Sequence, residues 1–97
     1  KLDKMSLFFS GLFQINSDIY FVEKNNGFLL LGKNRKEVIE LKDVSFVIWK
    51  NLKKPTSFEG LLKKIKEEYD ISTEELEEDL KNWLKKALKE KIIQQLI

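Results

Sequence analysis

Cysteine and histidine are both absent from the 97 residues. That absence removes thiol nucleophiles, disulfides, Cys/His zinc sites and imidazole acid–base chemistry together. It fits a reducing compartment and sets the expectation of a cytoplasmic protein. No apolar run approaches the ~20 residues that span a bilayer. The opening residues, Lys1 to Ser6, lack the basic region plus apolar stretch of a signal peptide. Charge of one sign is also missing: 18 Lys and Arg face 16 Asp and Glu, for a net charge of +2. Such a balance implies no nucleic-acid partner. There is no glycine-rich phosphate loop, P-loop lysine or H-E-x-x-H helix. Carboxylate pairs such as Glu37/Glu40 and Glu74/Glu78 occur only in ordinary amphipathic contexts. The expectation is a chain that is not an enzyme, with no cofactor and no metal, so the question becomes what it binds.

What is present suffices for one domain. A hydrophobic content of 42% over 97 residues supports one core and not two. The first residue is Lys1 rather than Met, which fits a chain trimmed or cut from a longer one. Residues 1–12 read as an N-terminal lead-in to a domain at 13–97. Leu7, Phe8, Phe9, Leu12 and Phe13 form an apolar cluster broken by Ser10-Gly11. It either covers an edge of the core or makes a homodimer contact, because so many exposed aromatics are a liability.

Ile19-Tyr-Phe-Val22 is a β-rich run. Asn25-Asn26-Gly27 follows, and Asn and Gly tolerate the positive φ that hairpin turns need. Phe28 to Leu31 is the return strand, and residues 32–35 form a second turn. Residues 37–41 alternate, with Ile39 and Leu41 on one face and Val38 and Glu40 on the other. The prediction is a three-stranded antiparallel meander whose outer strands must be paired, covered or used.

Three helices follow. Asp43 is placed to cap the first, and Val44, Val47, Ile48 and Leu52 recur on one helical face with Trp49 beside them. Lys53-Lys54-Pro55 ends it. Thr56 and Glu59 have capping-box spacing for the second helix, whose apolar face is Phe58, Leu61, Leu62, Ile65 and Tyr69. Ser72 and Glu75 repeat that spacing for the third, with Ile71 and Leu76 placed as a hydrophobic staple. Its stripe of Leu76, Leu80, Trp83, Leu84, Ala87 and Leu88 is wider than one seam needs, so part of it is available to a partner. Leu80 and Trp83 read equally as core. Ile92-Ile93 closes the domain, and Gln94 to Ile97 form an extended tail. The fold class is α+β, winged-helix-like: a three-stranded antiparallel sheet followed by three helices.

Winged-helix topology raises the alternative of a DNA-binding transcription regulator. Charge argues against it. The N-terminal half of the third helix carries Glu74, Glu75, Glu77, Glu78 and Asp79 and no base. Those carboxylates would meet a phosphate lattice with one charge per ~1.7 Å of axis. The only arginine, Arg35, lies in a strand turn. Glu77, Glu78 and Asp79 either attract a basic peptide, with Asp79 the best-placed acid, or simply solubilise and cap the helix.

Leu41-Lys-Asp-Val-Ser-Phe-Val-Ile-Trp49 resembles the start of the first helix in PqqD-like proteins, the RiPP recognition elements. Tyr69-Asp70-Ile71-Ser72, then Glu75, Asp79-Leu80 and Trp83-Leu84, resembles the family's third helix, and Leu88 with Ile92-Ile93 its closing segment. The resemblance covers residues 13–93. Lys42 departs from the usual asparagine, Lys53-Lys54 from an Asp-Gly turn, and Lys91 stands where glycine is common. The resemblance implies binding of a precursor (leader) peptide by β-augmentation, with presentation to a separate peptide-modifying enzyme or protease. It implies a guest strand along Glu37, Val38, Ile39, Glu40 and Leu41, lying against Leu76, Asp79, Leu80 and Trp83, with no nucleic acid and no membrane involved.

Overall fold

A computed structural model describes residues 11–32 and 36–96. Strands β2 (Ile19–Glu23), β3 (Phe28–Gly32) and β4 (Ile39–Leu41) pair antiparallel in the order β2-β3-β4. The β2–β3 turn places Asn25 and Asn26 at φ 54° and 59°. Lys24 and Gly27 exchange both backbone hydrogen bonds across it, at 2.9 and 3.1 Å. Positive φ at both central residues is what a twisted two-residue hairpin requires, and Asn supplies it. Gly27 does not take positive φ. Its expected role as a left-handed turn residue is corrected to one of close approach: a Cβ there would stand 2.9 Å from the Leu41 carbonyl oxygen.

The register sets Phe28 against Leu41 and Leu30 against Ile39. Phe28, Leu30 and Leu41 are buried, whereas Tyr20, Val22 and Leu31 on the opposite face are exposed. Strand alternation thus separates a core face from an outer face. The third strand is shorter than expected, because Glu37 and Val38 lie before β4 and both are exposed.

A second sheet was not anticipated. Strand β1 (Leu12–Ile15) is its spine, between β5 (Thr56–Ser57) and β6 (Ile93–Leu96). Phe13 pairs with Thr56 on one side and Gln95 on the other, and its side chain is fully buried. Gln94 to Leu96, expected as part of an extended tail, therefore belong to a paired strand that begins at Ile93. Leu12, placed in the lead-in by the sequence, opens β1. Leu7, Phe8 and Phe9 lie outside the described residues.

The helices are α1 (Val44–Asn51), α2 (Phe58–Glu68) and α3 (Thr73–Lys89). Their expected faces are the buried ones: Val47, Ile48 and Trp49 on α1; Phe58, Leu61, Leu62 and Ile65 on α2; Leu76, Leu80, Leu84 and Ala87 on α3. They meet the inner face of the meander in one continuous core with Phe13, Phe28 and Leu30. Phe21 stands edge-on to Trp49 at 5.5 Å, joining β2 to α1.

Two of the three caps differ from expectation. Asp43 holds the N-cap position of α1 at φ 55° but makes no side-chain capping bond. Thr56 is not the cap of α2. Its hydroxyl donates to the carbonyls of Asn51 and Lys54, at 2.7 and 2.9 Å, while Ser57 Oγ accepts the Gly60 N–H at 3.0 Å. Pairing with β1 holds Thr56 extended, which moves the helix start one residue on. Ser72 caps α3 as expected, accepting the Glu75 N–H at 3.3 Å.

The end of α3 explains the Lys91 departure. Lys91 takes φ 61°. Its N–H donates to the Leu88 carbonyl and that of Ile92 to Ala87, both at 3.1 Å. This is the Schellman arrangement, in which glycine is favoured at the left-handed position. Asn16 Nδ2 donates to the Lys91 carbonyl at 2.9 Å and ties this turn to the end of β1.

Candidate functional site

Strand β4 is an edge: β3 lies on one side, and no strand pairs with the other among the described residues. The Leu41 carbonyl sits against Gly27, so it faces β3. Backbone groups of successive strand residues alternate in direction, so the N–H and C=O of Glu40 face the open edge. An unpaired edge of this kind is a template for a further strand.

Across that edge lies α3. A groove of about 380 Å³ separates them, walled by Ile39, Glu40 and Leu41 on the strand side and by Trp83, Lys86, Ala87 and Glu90 on the helix side. A second hollow of about 200 Å³ adjoins it between the start of α1 and the first half of α3. Its wall is apolar, formed by Val44, Ile48, Ile71, Leu76 and Leu80, with Asp79 the one charged lining residue among those described. Trp83 is half-buried between the two, and its indole Nε1 donates to Ser45 Oγ at 3.0 Å.

Of the residues singled out from the sequence, Ile39, Glu40, Leu41 and Trp83 share the groove. Asp79, Leu76 and Leu80 share the adjoining hollow with Trp83. Leu76 and Leu80 are each only 1% exposed, so they serve the core and the hollow's floor at once. Glu37 and Val38 are exposed ahead of the strand and line neither space.

Sequence reasoning missed Ser45, Lys86 and Glu90. Stepping from Trp83 by three, four and seven residues along one helical face reaches Lys86, Ala87 and Glu90, a spacing that marks them as one surface. Lys and Glu on a helix read first as solvated charge, which hid the signal. Electrostatics at the lip are mild. Glu40 pairs with Lys42 at 3.5 Å with both side chains largely exposed, a contact worth little to stability.

An antiparallel meander leading into three helices, with a groove between its last strand and the last helix, places the molecule among winged-helix-like α+β domains. The family can be given as well. Residues 27–93 match the family described as coenzyme PQQ synthesis protein D (PqqD), and the chain belongs to that family. The matched span holds the whole groove, from the hairpin glycine to the first residue of β6. Among solved structures, the chain resembles TbiB1 in complex with the TbiA(beta) leader peptide, with a TM-score of 0.78 and 19% identity. The alignment covers 87% of this chain and 98% of that one. The likeness establishes a shared fold. None of the curated proteins matches the chain.

Proposed function

We infer that this chain binds the leader region of a ribosomally synthesised precursor peptide. The leader adds as a strand to the β4 edge, lies against α3, and is presented to a separate modifying enzyme or protease. The observation that carries this reading is the β4 edge, unpaired among the described residues, facing α3 across an open groove with the backbone of Glu40 directed into it. Membership of the PqqD family supports it, as does the shared fold of TbiB1, whose structure holds a leader peptide. Strand addition draws affinity from main-chain hydrogen bonds and selectivity from side-chain pockets, and the edge backbone of Glu40 and the side chains lining the groove suit it. Each added backbone bond contributes about 0.5–1.5 kcal/mol net. Among the described residues no cluster of His, Cys, Asp or Glu fits a metal ion, and no helix is long and apolar enough to cross a membrane.

The test is a titration of the isotope-labelled chain with the leader halves of candidate precursor peptides. Amide signals of Ile39, Glu40 and Leu41 and of the facing side of α3 should move together. Shifts confined to α2 or to β6 would overturn the groove reading. Replacing Asp79→Lys should weaken a leader with a basic residue at the adjoining position, and unchanged affinity would remove Asp79 from the site. A homodimer, the other use of the residues 7–13 cluster, is tested by sedimentation equilibrium over a range of concentrations.

A further inference from the structure

Among the described residues, only two line both the groove and the adjoining hollow: Ser45, near the start of α1, and Trp83, midway along α3. They are also hydrogen-bonded to each other, Nε1 to Oγ at 3.0 Å, across 38 residues of sequence. We propose that this pair is a partition that sets which side chains the groove accepts, with Ser45 as a positioning residue that acts through Trp83. The proposal rests on the peptide-binding reading above and adds to it the residue that divides the site.

A tryptophan side chain has two torsions to fix. Trp83 is only half-buried and borders both spaces, so packing does not enclose its ring completely. The bond to Ser45 supplies the missing restraint, because the indole N–H is a single donor of fixed direction. Held there, the ring keeps two chemistries apart. On one side is an apolar wall with Asp79 at its margin. On the other, Glu40, Lys86 and Glu90 stand among Ile39, Leu41 and Ile92, a mixed wall that carries charge. A guest strand threading past this wall meets both in a set order. A bulky apolar side chain, best beside a basic neighbour, enters the first, and a side chain with an apolar stem and a charged end enters the second. Without the bond the indole turns, the two spaces merge, and that discrimination falls. A neutral hydrogen bond of ordinary strength corresponds to about a fivefold change in preference.

The experiment begins with random dodecapeptides displayed on their own messenger RNA and selected on the immobilised full chain. Peptides that shift the amide signals of Ile39, Glu40 and Leu41 are kept. The tightest is scanned with alanine, and affinities are measured for the unaltered chain and for Ser45→Ala, Ser45→Thr, Trp83→Phe and Ser45→Ala/Trp83→Phe. The expected result is a peptide with one dominant apolar position. Its preference over the alanine-substituted peptide drops about fivefold in Ser45→Ala and is kept in Ser45→Thr, which retains the hydroxyl. In the Trp83→Phe background, where no indole N–H remains, Ser45→Ala should change nothing further. The proposal is overturned if Ser45→Ala weakens every peptide by the same factor, or if it acts equally in the Trp83→Phe background. Failure of the peptide-binding reading looks different: no peptide selected on the unaltered chain would shift residues 39–41, before any variant is made.

Discussion

Gly27 packs against Leu41 so closely that a Cβ on Gly27 would stand 2.9 Å from the Leu41 carbonyl oxygen. This contact joins the β2–β3 hairpin to the last residue of the strand that borders the groove. Gly27→Ala should therefore push Leu41 outward. Overpacking of this kind costs about 1–3 kcal/mol. Urea denaturation should report the loss, and the Leu41 amide shift should report the displacement. A variant with both unchanged would show that the hairpin yields freely.

Glu40 and Ile39 make opposite predictions for proline. The Ile39 backbone faces β3 and the Glu40 backbone faces the open edge, by alternation from the Leu41 carbonyl. Proline is tolerated on an edge strand where its missing N–H would have pointed to solvent. Glu40→Pro should keep a cooperative unfolding transition yet lose leader-peptide binding by tenfold or more, since about 1.4 kcal/mol is a factor of ten. Ile39→Pro should disrupt the ladder and lower stability sharply. Full binding by Glu40→Pro, measured by calorimetry, would refute strand addition at this edge.

Lys91 holds a left-handed φ of 61° at the end of α3. A side chain in that conformation is strained, and glycine is not. Lys91→Gly should raise stability by about 0.5–1 kcal/mol, after the extra freedom of the unfolded chain is set against the relieved strain. A thermal melt that moves down instead would mean that the lysine side chain contributes a contact outweighing its strain.

Trp49 is fully buried, yet its indole N–H has no hydrogen-bond partner. An orphaned buried donor costs about 1–3 kcal/mol. Trp49→Phe removes that donor while giving up some packing volume, so the two effects offset and stability should change by less than about 1 kcal/mol. Trp49→Ala should cost about 3–5 kcal/mol. The phenylalanine variant has a practical use too, since it leaves Trp83 as the single indole fluorophore at the groove. A loss above about 2 kcal/mol in Trp49→Phe would show that ring size and the edge contact with Phe21 dominate.

The meander and the helices were legible because each announces itself within a few residues. Ile39 and Leu41 alternate with Glu40, and Leu61, Leu62 and Ile65 recur at helical spacing. The second sheet gave no such signal. Its strands are two to four residues long, and pairing joins Leu12 to Leu96 from near the two ends of the chain. So short a strand has no periodicity of its own. The shift of the α2 cap from Thr56 to Ser57 has the same origin, because pairing with Phe13 holds Thr56 extended.

The candidate site divides along the same line. Trp83 and Asp79 stood out as an aromatic and an acid beside an apolar stripe, and β4 stood out as a strand that must be paired or used. Ser45 did not stand out, since a serine in the first turn of a helix is unremarked in sequence. Its meaning comes from Trp83, 38 residues later, whose indole reaches it.

Local composition alone determined the absence of thiol and imidazole chemistry, the three helices and the strands of the meander, because propensity, capping and periodicity act over a few residues. Only the tertiary structure decided that β4 is an edge among the described residues, that this edge faces α3 across a groove, and that Ser45 and Trp83 meet beside it. Those features depend on where distant segments come to rest, and that is settled by the burial of one shared core.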